Sequence, residues 1–356
     1  MPRENLAGKP ATPRLVGRYG SDLAASTHSM LGLAALVDAM ADLGVGAEAL
    51  FDGTGIAPSA MADPQARISH LQKIALFDNV LRLSPEPAIG LLAGQRQRIS
   101  DFGVFGYAVL SSATLADAVA FGIEHVRLVG PVLEKSFRVE GEVAIFEGHD
   151  VMDLGPLLPL ATEFWFSSIH TLMSRATEHP HKGRRLLLPY PEPSYAHRYE
   201  EVLLCPVEFD AGAMQWEFDA ALLRLPLPNA NPITADVCAS FCARMLEDIG
   251  QEHALVKTIR QACLNRMDDL PRAEQMASQL NLSTRTLHRR LVDAGTSYQA
   301  IIDGIRERLA IEFLERTDLS VDEIAERSGF SDVSNFRKAF KKWTGQSPAY
   351  FRDRGR

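Results

Sequence analysis

Cysteine is scarce in this chain. Its four thiols, Cys205, Cys238, Cys242 and Cys263, show no disulfide-framework spacing, and a chain of 356 residues with 46% hydrophobic content needs no such staples. Cys238 and Cys242 stand four apart, on one face of a helix, but no second ligand pair sits at zinc-finger spacing. Reduced thiols and no metal are expected. Long apolar runs are missing too. The segment Met30 to Val45 is interrupted by Asp38 and Asp42, so it reads as an amphipathic helix against a core, not a membrane span. Met1 to Asp22 has no apolar centre like that of a signal peptide. A cytoplasmic protein with no membrane partner is the expectation. Catalytic signatures are lacking as well: no Gly-rich phosphate loop, no nucleophile elbow and no HExxH helix. His179-Pro-His181 lacks the i, i+4 spacing of a helical metal pair. No catalytic residue and no cofactor are therefore expected.

Positive charge is in deficit overall, with a net charge of −8, which by itself disfavours a polyanionic partner. Its distribution reverses that inference. Residues 251–356 carry 18 Lys+Arg against 15 Asp+Glu, so this end is basic and the remainder bears the acidic excess. The excess is modest, so any affinity for nucleic acid has to come from placed cations rather than a diffuse field.

What is present in that basic end is one device written twice. Glu274 to Leu291 and Asp322 to Phe340 each open with a short helix carrying Ala at a crowded position, Ala277 or Ala325. Four residues later comes a residue tolerant of positive φ, Asn281 or Gly329. An apolar anchor follows, Leu282 or Phe330, then a capping Ser283 or Ser331 and a second helix rich in Arg and Lys. That is the layout of a helix-turn-helix, whose second helix enters the DNA major groove. Between the two, Tyr298, Ile301, Ile302, Ile305, Leu309 and Phe313 form a helical seam on which both units can pack. Helix phase turns Leu287 and Leu291 inward and leaves Arg285, His288 and Arg289 outside. In the second unit Phe336 and Phe340 turn inward and leave Ser334, Arg337 and Lys338 outside. These six are the candidate base readers. Arg290, Arg306, Lys341 and Lys342 are the candidate phosphate contacts, which position without specifying.

Upstream, residues 1–26 read as a flexible tail, and 27–130 are mostly helical, with a helix opened by Ile68 to Phe77 and another started by Thr114. Two β-hairpins are expected, Leu133 to Phe146 and Val207 to Phe218, with a helix at about 156–177 and a strand at Arg185 to Leu188 between them. Three prolines in Leu225 to Pro232 mark a boundary. Helices over Ile233 to Ile249 and Leu255 to Asn265 follow. The expected domains are a tail at 1–26, an α+β domain at 27–230, a linker helix at 231–252 and an all-α domain at 253–356. In the last, the helix-turn-helix units fall at about 273–292 and 321–342.

At these residues the chain resembles the AraC/XylS family of bacterial transcription regulators. The resemblance runs from about Leu255 to Arg352 and is carried by Ser283 to Leu291, Ile324 to Pro348 and Tyr350 to Arg352. Asn281 departs from it, standing where Gly is common. The upstream half is similar to the arabinose-binding-like domain of one branch of that family. Gly90-Leu-Leu-Ala-Gly94, Asp101 to Tyr107, Ser111 to Leu115, Pro206 to Phe209 and Leu225 to Pro228 carry the likeness. The resemblance implies an α+β N-terminal regulatory domain followed by an all-α DNA-binding domain with two helix-turn-helix units joined by a long helix. It also implies sensing of a small-molecule effector and dimerisation with a second copy of the chain. The length of the joining helix predicts double-stranded DNA at two adjacent major grooves as the partner. An activator that meets RNA polymerase is expected, while the sequence leaves the sign of regulation and the oligomeric state open. The effector site itself is not defined by the sequence. Phe102, Phe105, Tyr107, Phe164, Trp165 and Phe166 are candidates to line it, and Arg96, Arg98 and Arg127 to hold a carboxylate. Two other readings stand beside this one: a regulator whose N-terminal domain only oligomerises or binds a protein, and an enzyme with a DNA-binding tail.

Overall fold

The computed structural model describes residues 15–17, 23, 28–63, 66–264, 270–294, 296–317, 319–330, 332–344 and 346–355. The chain divides into two compact units, Met1–Glu247 and Asp248–Arg356. Each has its own hydrophobic core, and the second has two.

Among its described residues the first unit holds eight strands: β1 Leu15–Gly17, β2 His28–Ser29, β3 Arg67–Ile68, β4 Glu134–Glu140, β5 Val143–His149, β6 Gly183–Leu187, β7 Val207–Glu208 and β8 Met214–Asp219. Six of them form one sheet in the order β1-β4-β5-β8-β6-β7, while β2 and β3 pair separately. The β4–β5 hairpin is the expected one, and its turn places Gly141 at φ +60°, where a side chain is disfavoured. The second expected hairpin does not form. β6 lies between β7 and β8, pairing parallel with the former and antiparallel with the latter. Alternation through Met214, Trp216 and Phe218 marks a strand with one buried face, but it does not name the neighbour. The turn at Asp210 and Ala211 donates instead to the carbonyls of Tyr190 and Leu188, which extends β7 along β6. The expected N-terminal tail needs a second correction. Leu15–Gly17 pair with Phe137, Ser136 and Lys135 and form the sheet's edge.

Among the described residues, eight α-helices accompany the sheet: α1 Ala34–Asp42, α2 Ala47–Phe51, α3 His70–Leu83, α4 Ile89–Gln95, α5 Gly103–Leu110, α6 Leu115–Glu124, α7 Leu158–Thr177 and α8 His197–Leu203. Capping residues fix two of the starts. Ser69 and Thr114 each close a capping box, with Gln72 and Asp117 respectively. The Gly90…Gly94 pair explains how α4 meets α7. A Cβ on Gly90 would lie 2.7 Å from Glu163 Cβ, and one on Gly94 would lie 2.4 Å from Ser167 Cβ. Only bare backbone fits there, and Ser167 Oγ closes the contact by donating to the Leu91 carbonyl at 2.7 Å.

A single helix, α9 Pro232–Leu264, replaces the two helices read from the sequence, and it carries on past the expected linker end at 252. Gly250 lies inside it. A lone glycine weakens a helix without breaking it, whereas proline would. Asn265, the expected end of the second helix, is outside the described residues. The second unit continues with α10 Ala273–Gln279, α11 Thr284–Asp293, α12 Tyr298–Arg316, α13 Val321–Arg327, α14 Val333–Thr344 and α15 Pro348–Gly355.

Candidate functional site

Each helix-turn-helix is closed by the same backbone bond. Leu282 N donates to the Ala277 carbonyl at 2.8 Å, and Phe330 N to the Ala325 carbonyl at 2.9 Å. Both alanines are buried, so no larger residue fits beneath the turn. The turn requires positive φ, supplied by Asn281 at 55° and Gly329 at 77°. Asparagine tolerates this conformation better than most residues but still at a cost. Asn281→Gly is therefore expected to stabilise the second unit by less than about 1 kcal/mol, after the extra chain entropy of glycine is subtracted. Thermal unfolding should move up by a few degrees, and a lowered midpoint would contradict strain at this turn.

The caps place the two reading helices in register. Ser283 Oγ accepts from Thr286 N at 3.1 Å and starts α11. In the second unit the expected cap, Ser331, lies outside the described residues, and Asp332 takes the role, its Oδ1 accepting from Asn335 N at 2.9 Å. One additional residue thus separates turn from helix. Counted from its own cap, each helix buries its fourth and eighth residues, Leu287 and Leu291 in α11, Phe336 and Phe340 in α14. The second, fifth and sixth residues are Arg285, His288 and Arg289 in one, Ser334, Arg337 and Lys338 in the other, and all six are exposed. Arg290, Lys341 and Lys342 are exposed beside them.

Helix α12 belongs to both cores. Its first half supplies Ile301, Ile302 and Ile305 to the core around Leu287 and Leu291, joined by Val256, Ile259 and Cys263 of α9. Its second half supplies Ala310 and Leu314 to the core around Phe336 and Phe340. Leu309 and Phe313, the expected seam positions, are only half-buried, since the buried line moves over by one residue where the second core begins. Arg306, expected at a phosphate, is tied to the turn of the second helix-turn-helix. Its Nη2 donates to the Gly329 carbonyl at 2.8 Å, and its guanidinium lies 4.8 Å from the centre of the Phe330 ring. It braces the turn that positions α14.

The first unit contains a cavity of about 200 Å³. Phe102, Phe105, Phe164 and Trp165, four of the candidates, are in its lining. Tyr107 does not; it is 52% exposed. Phe166 is buried in the core beside Trp165, outside the cavity lining. The arginine candidates are elsewhere. Arg96 bonds Asp42, Arg98 lies 3.4 Å from Asp38, and Arg127 is not in the lining. The cations that do line the cavity are Lys73 of α3 and Lys135 of β4, neither of which the sequence reading singled out. Lys73 Nζ donates to the carbonyls of Val129 at 3.0 Å and Gly130 at 2.8 Å. Lys135 Nζ lies 5.0 Å from the centre of the Trp165 ring. Burial pushes the Lys73 ammonium down to about 8. Burial, and then the charge of Lys73, bring Lys135 to about 7.

Comparisons with known proteins agree on both halves. Residues 44–227 match the model of the arabinose-binding N-terminal domain of AraC transcription regulators, and residues 276–354 match a helix-turn-helix domain model. The chain is 35% identical over 319 residues to the ornithine utilization regulator of Pseudomonas aeruginosa, covering 90% of this chain and 94% of that one. It is 25% identical over 341 residues to an uncharacterized helix-turn-helix regulator of Mycobacterium tuberculosis, covering 92% of this chain and 97% of the relative. Among solved structures, the transcriptional regulator CdpR from Pseudomonas aeruginosa is 26% identical. That alignment covers 79% of this chain and 91% of CdpR, with a TM-score of 0.40.

Proposed function

This chain belongs to the AraC family of DNA-binding transcription regulators, and from that we propose that one copy reads an asymmetric duplex site with both helix-turn-helix units. The observation that carries this reading is the common register of the two reading helices. Counted from Ser283 and Asp332, the same three helical positions are polar and exposed, and both helices are held by cores built on α12. Arg285, His288, Arg289, Ser334, Arg337 and Lys338 are the proposed base readers. Arg290, Lys341 and Lys342 are the proposed phosphate contacts, and Arg306 is withdrawn from that set. The protein acts in the bacterial cytoplasm as an activator that engages RNA polymerase, pairs with a second copy through the N-terminal domain, and has no enzymatic turnover. Occupation of the N-terminal cavity by a small effector shifts the balance between conformers that differ in DNA affinity, which requires the ligand to bind those conformers unequally.

Hydroxyl-radical footprinting of the intact chain on its own promoter tests the DNA reading. Two protected segments about one helical turn apart, roughly 34 Å along B-DNA, are expected on a site without inverted symmetry. Protection confined to one segment per copy, or only on palindromes, would replace this reading with one helix-turn-helix per half-site.

A further inference from the structure

We propose that the cavity of the first unit takes up a small monocarboxylic acid as its anion, with an apolar body of one ring or a short chain and its carboxylate between Lys73 and Lys135. The proposal rests on the effector reading above and gives that effector a chemical class.

The walls set the body. Phe77, Phe102, Phe105, Val119, Ile123 and Trp165 present hydrocarbon on most sides. A dry apolar cavity of about 150 Å³ is enough for benzene. At about 200 Å³ this one has room for roughly six to eight carbons with a carboxylate. A sugar is a poor fit, because most of its hydroxyls would lose water and face hydrocarbon without a partner.

The polar groups set the charge. Among the described residues, the lining holds two lysines and no aspartate or glutamate. Lys73 is only 8% exposed, and its ammonium is held in place by two backbone carbonyls. Lys135 Nζ has the face of Trp165 beside it and no acidic partner among the described residues. Both ammonium groups are poorly solvated in this apolar lining, which depresses the proton affinity of each, and the charge of Lys73 depresses that of Lys135 further. One carboxylate relieves both costs at once. A cationic ligand would add a third like charge, and a neutral one would leave the lysines as they are. Ser168 Oγ, buried and without a hydrogen-bond partner, is a further donor in the lining. Gln97 Oε1 is an unpaired acceptor whose amide nitrogen already donates to the Gly32 carbonyl at 2.6 Å, so an acid that also bears a hydroxyl has a place for it.

Titration calorimetry and thermal unfolding of the full chain test this, with octanoate and 3-phenylpropanoate as acids, and 1-octanol, 3-phenylpropanamide and L-arabinose as neutral probes. At least one acid is expected to bind and raise the unfolding midpoint, at least tenfold more tightly than its neutral counterpart. Lys135→Met should weaken the acid at least tenfold and erase its advantage over the neutral probe, whereas Lys135→Arg should keep most of it. Should Lys135→Met not fold, the acid-to-neutral ratio on the unaltered chain and on Ser168→Ala still decides. Equal binding of neutral and anionic probes, or preferential binding of arabinose, overturns the charge assignment and leaves an effector-binding domain in place. Failure of every probe to bind overturns the proposal. The effector reading itself then stands or falls on whether fractionated metabolites shift the same midpoint.

Discussion

Alanine at Arg289 and Lys338 together is expected to lower affinity for the natural promoter site by roughly 30-fold to 10⁴-fold, while binding to an unrelated duplex changes far less. Each residue is the sixth after its helix cap and exposed. Each belongs to a helix with a separate core, so their losses should add. A good base contact discriminates by about 1–3 kcal/mol, and two give about 2–6 kcal/mol. The measurement is fluorescence anisotropy at one fixed salt concentration, on the cognate and on a scrambled duplex. Arg308→Ala, at an exposed position of α12 outside both reading helices, is the control and should bind as the unaltered chain does. Loss of equal size on both duplexes, with a shallower salt dependence, would reassign the two residues to phosphate. Indifference on both would remove α11 and α14 from the interface.

The DNA-reading unit was legible in the sequence because its signals are local. A crowded alanine, a positive-φ residue, an anchor and a cap lie within a few residues of each other, and each is imposed by backbone geometry. The bracing contacts of Arg306 were not legible, because its partners, Gly329 and Phe330, lie more than twenty residues away and helix phase alone cannot reveal them. Strand neighbours failed for a related reason. Alternation in Met214 to Phe218 fixes a face, but β6 enters between β7 and β8 from another part of the chain.

The cavity lay furthest from what a linear reading can reach. Its lining comes from segments between Leu31 and Ala176, and Lys135 sits in Glu134-Lys135-Ser136, a stretch that looks like any polar strand edge. Lys73 did leave a trace. It shares a helical stripe with His70, Phe77 and Val80, all buried, and a lysine on such a stripe marks a cation held inside a core. Two of the candidate arginines, Arg96 and Arg98, face aspartates of α1, as surface cations do.

Glu163→Gln should make the first unit more stable at alkaline pH and leave it nearly unchanged near pH 4.5. Glu163 lies on α7 where Gly90 of α4 approaches, and only 2% of it is exposed. Its Oε1 accepts from Tyr199 Oη at 2.5 Å and Tyr195 Oη at 2.8 Å. Burial raises its carboxyl to about 7, and the two tyrosine bonds, which favour the anion, only partly offset that. The folded chain therefore binds a proton that the unfolded chain has released between about pH 4.5 and 7. Stability is full below the lower value and falls as pH rises through the upper one. The loss approaches about 3 kcal/mol by pH 8, at about 1.4 kcal/mol per unit. Glutamine accepts the same tyrosine hydrogen bonds without a charge, so the variant should not show this decline. Lys73 and Lys135 act in the opposite sense. Their lowered values make the fold more stable as pH rises above about 7, so the slope of either protein alone is a mixture. The difference between the two proteins isolates Glu163. It is read from urea unfolding of the full chain at pH 5, 6, 7 and 8, followed by the fluorescence of Trp165 and Trp216 in the same unit, with Trp343 of the other unit replaced by phenylalanine in both proteins. A difference that grows with pH is expected, and a constant one would mean that Glu163 is already ionised in the fold at pH 5.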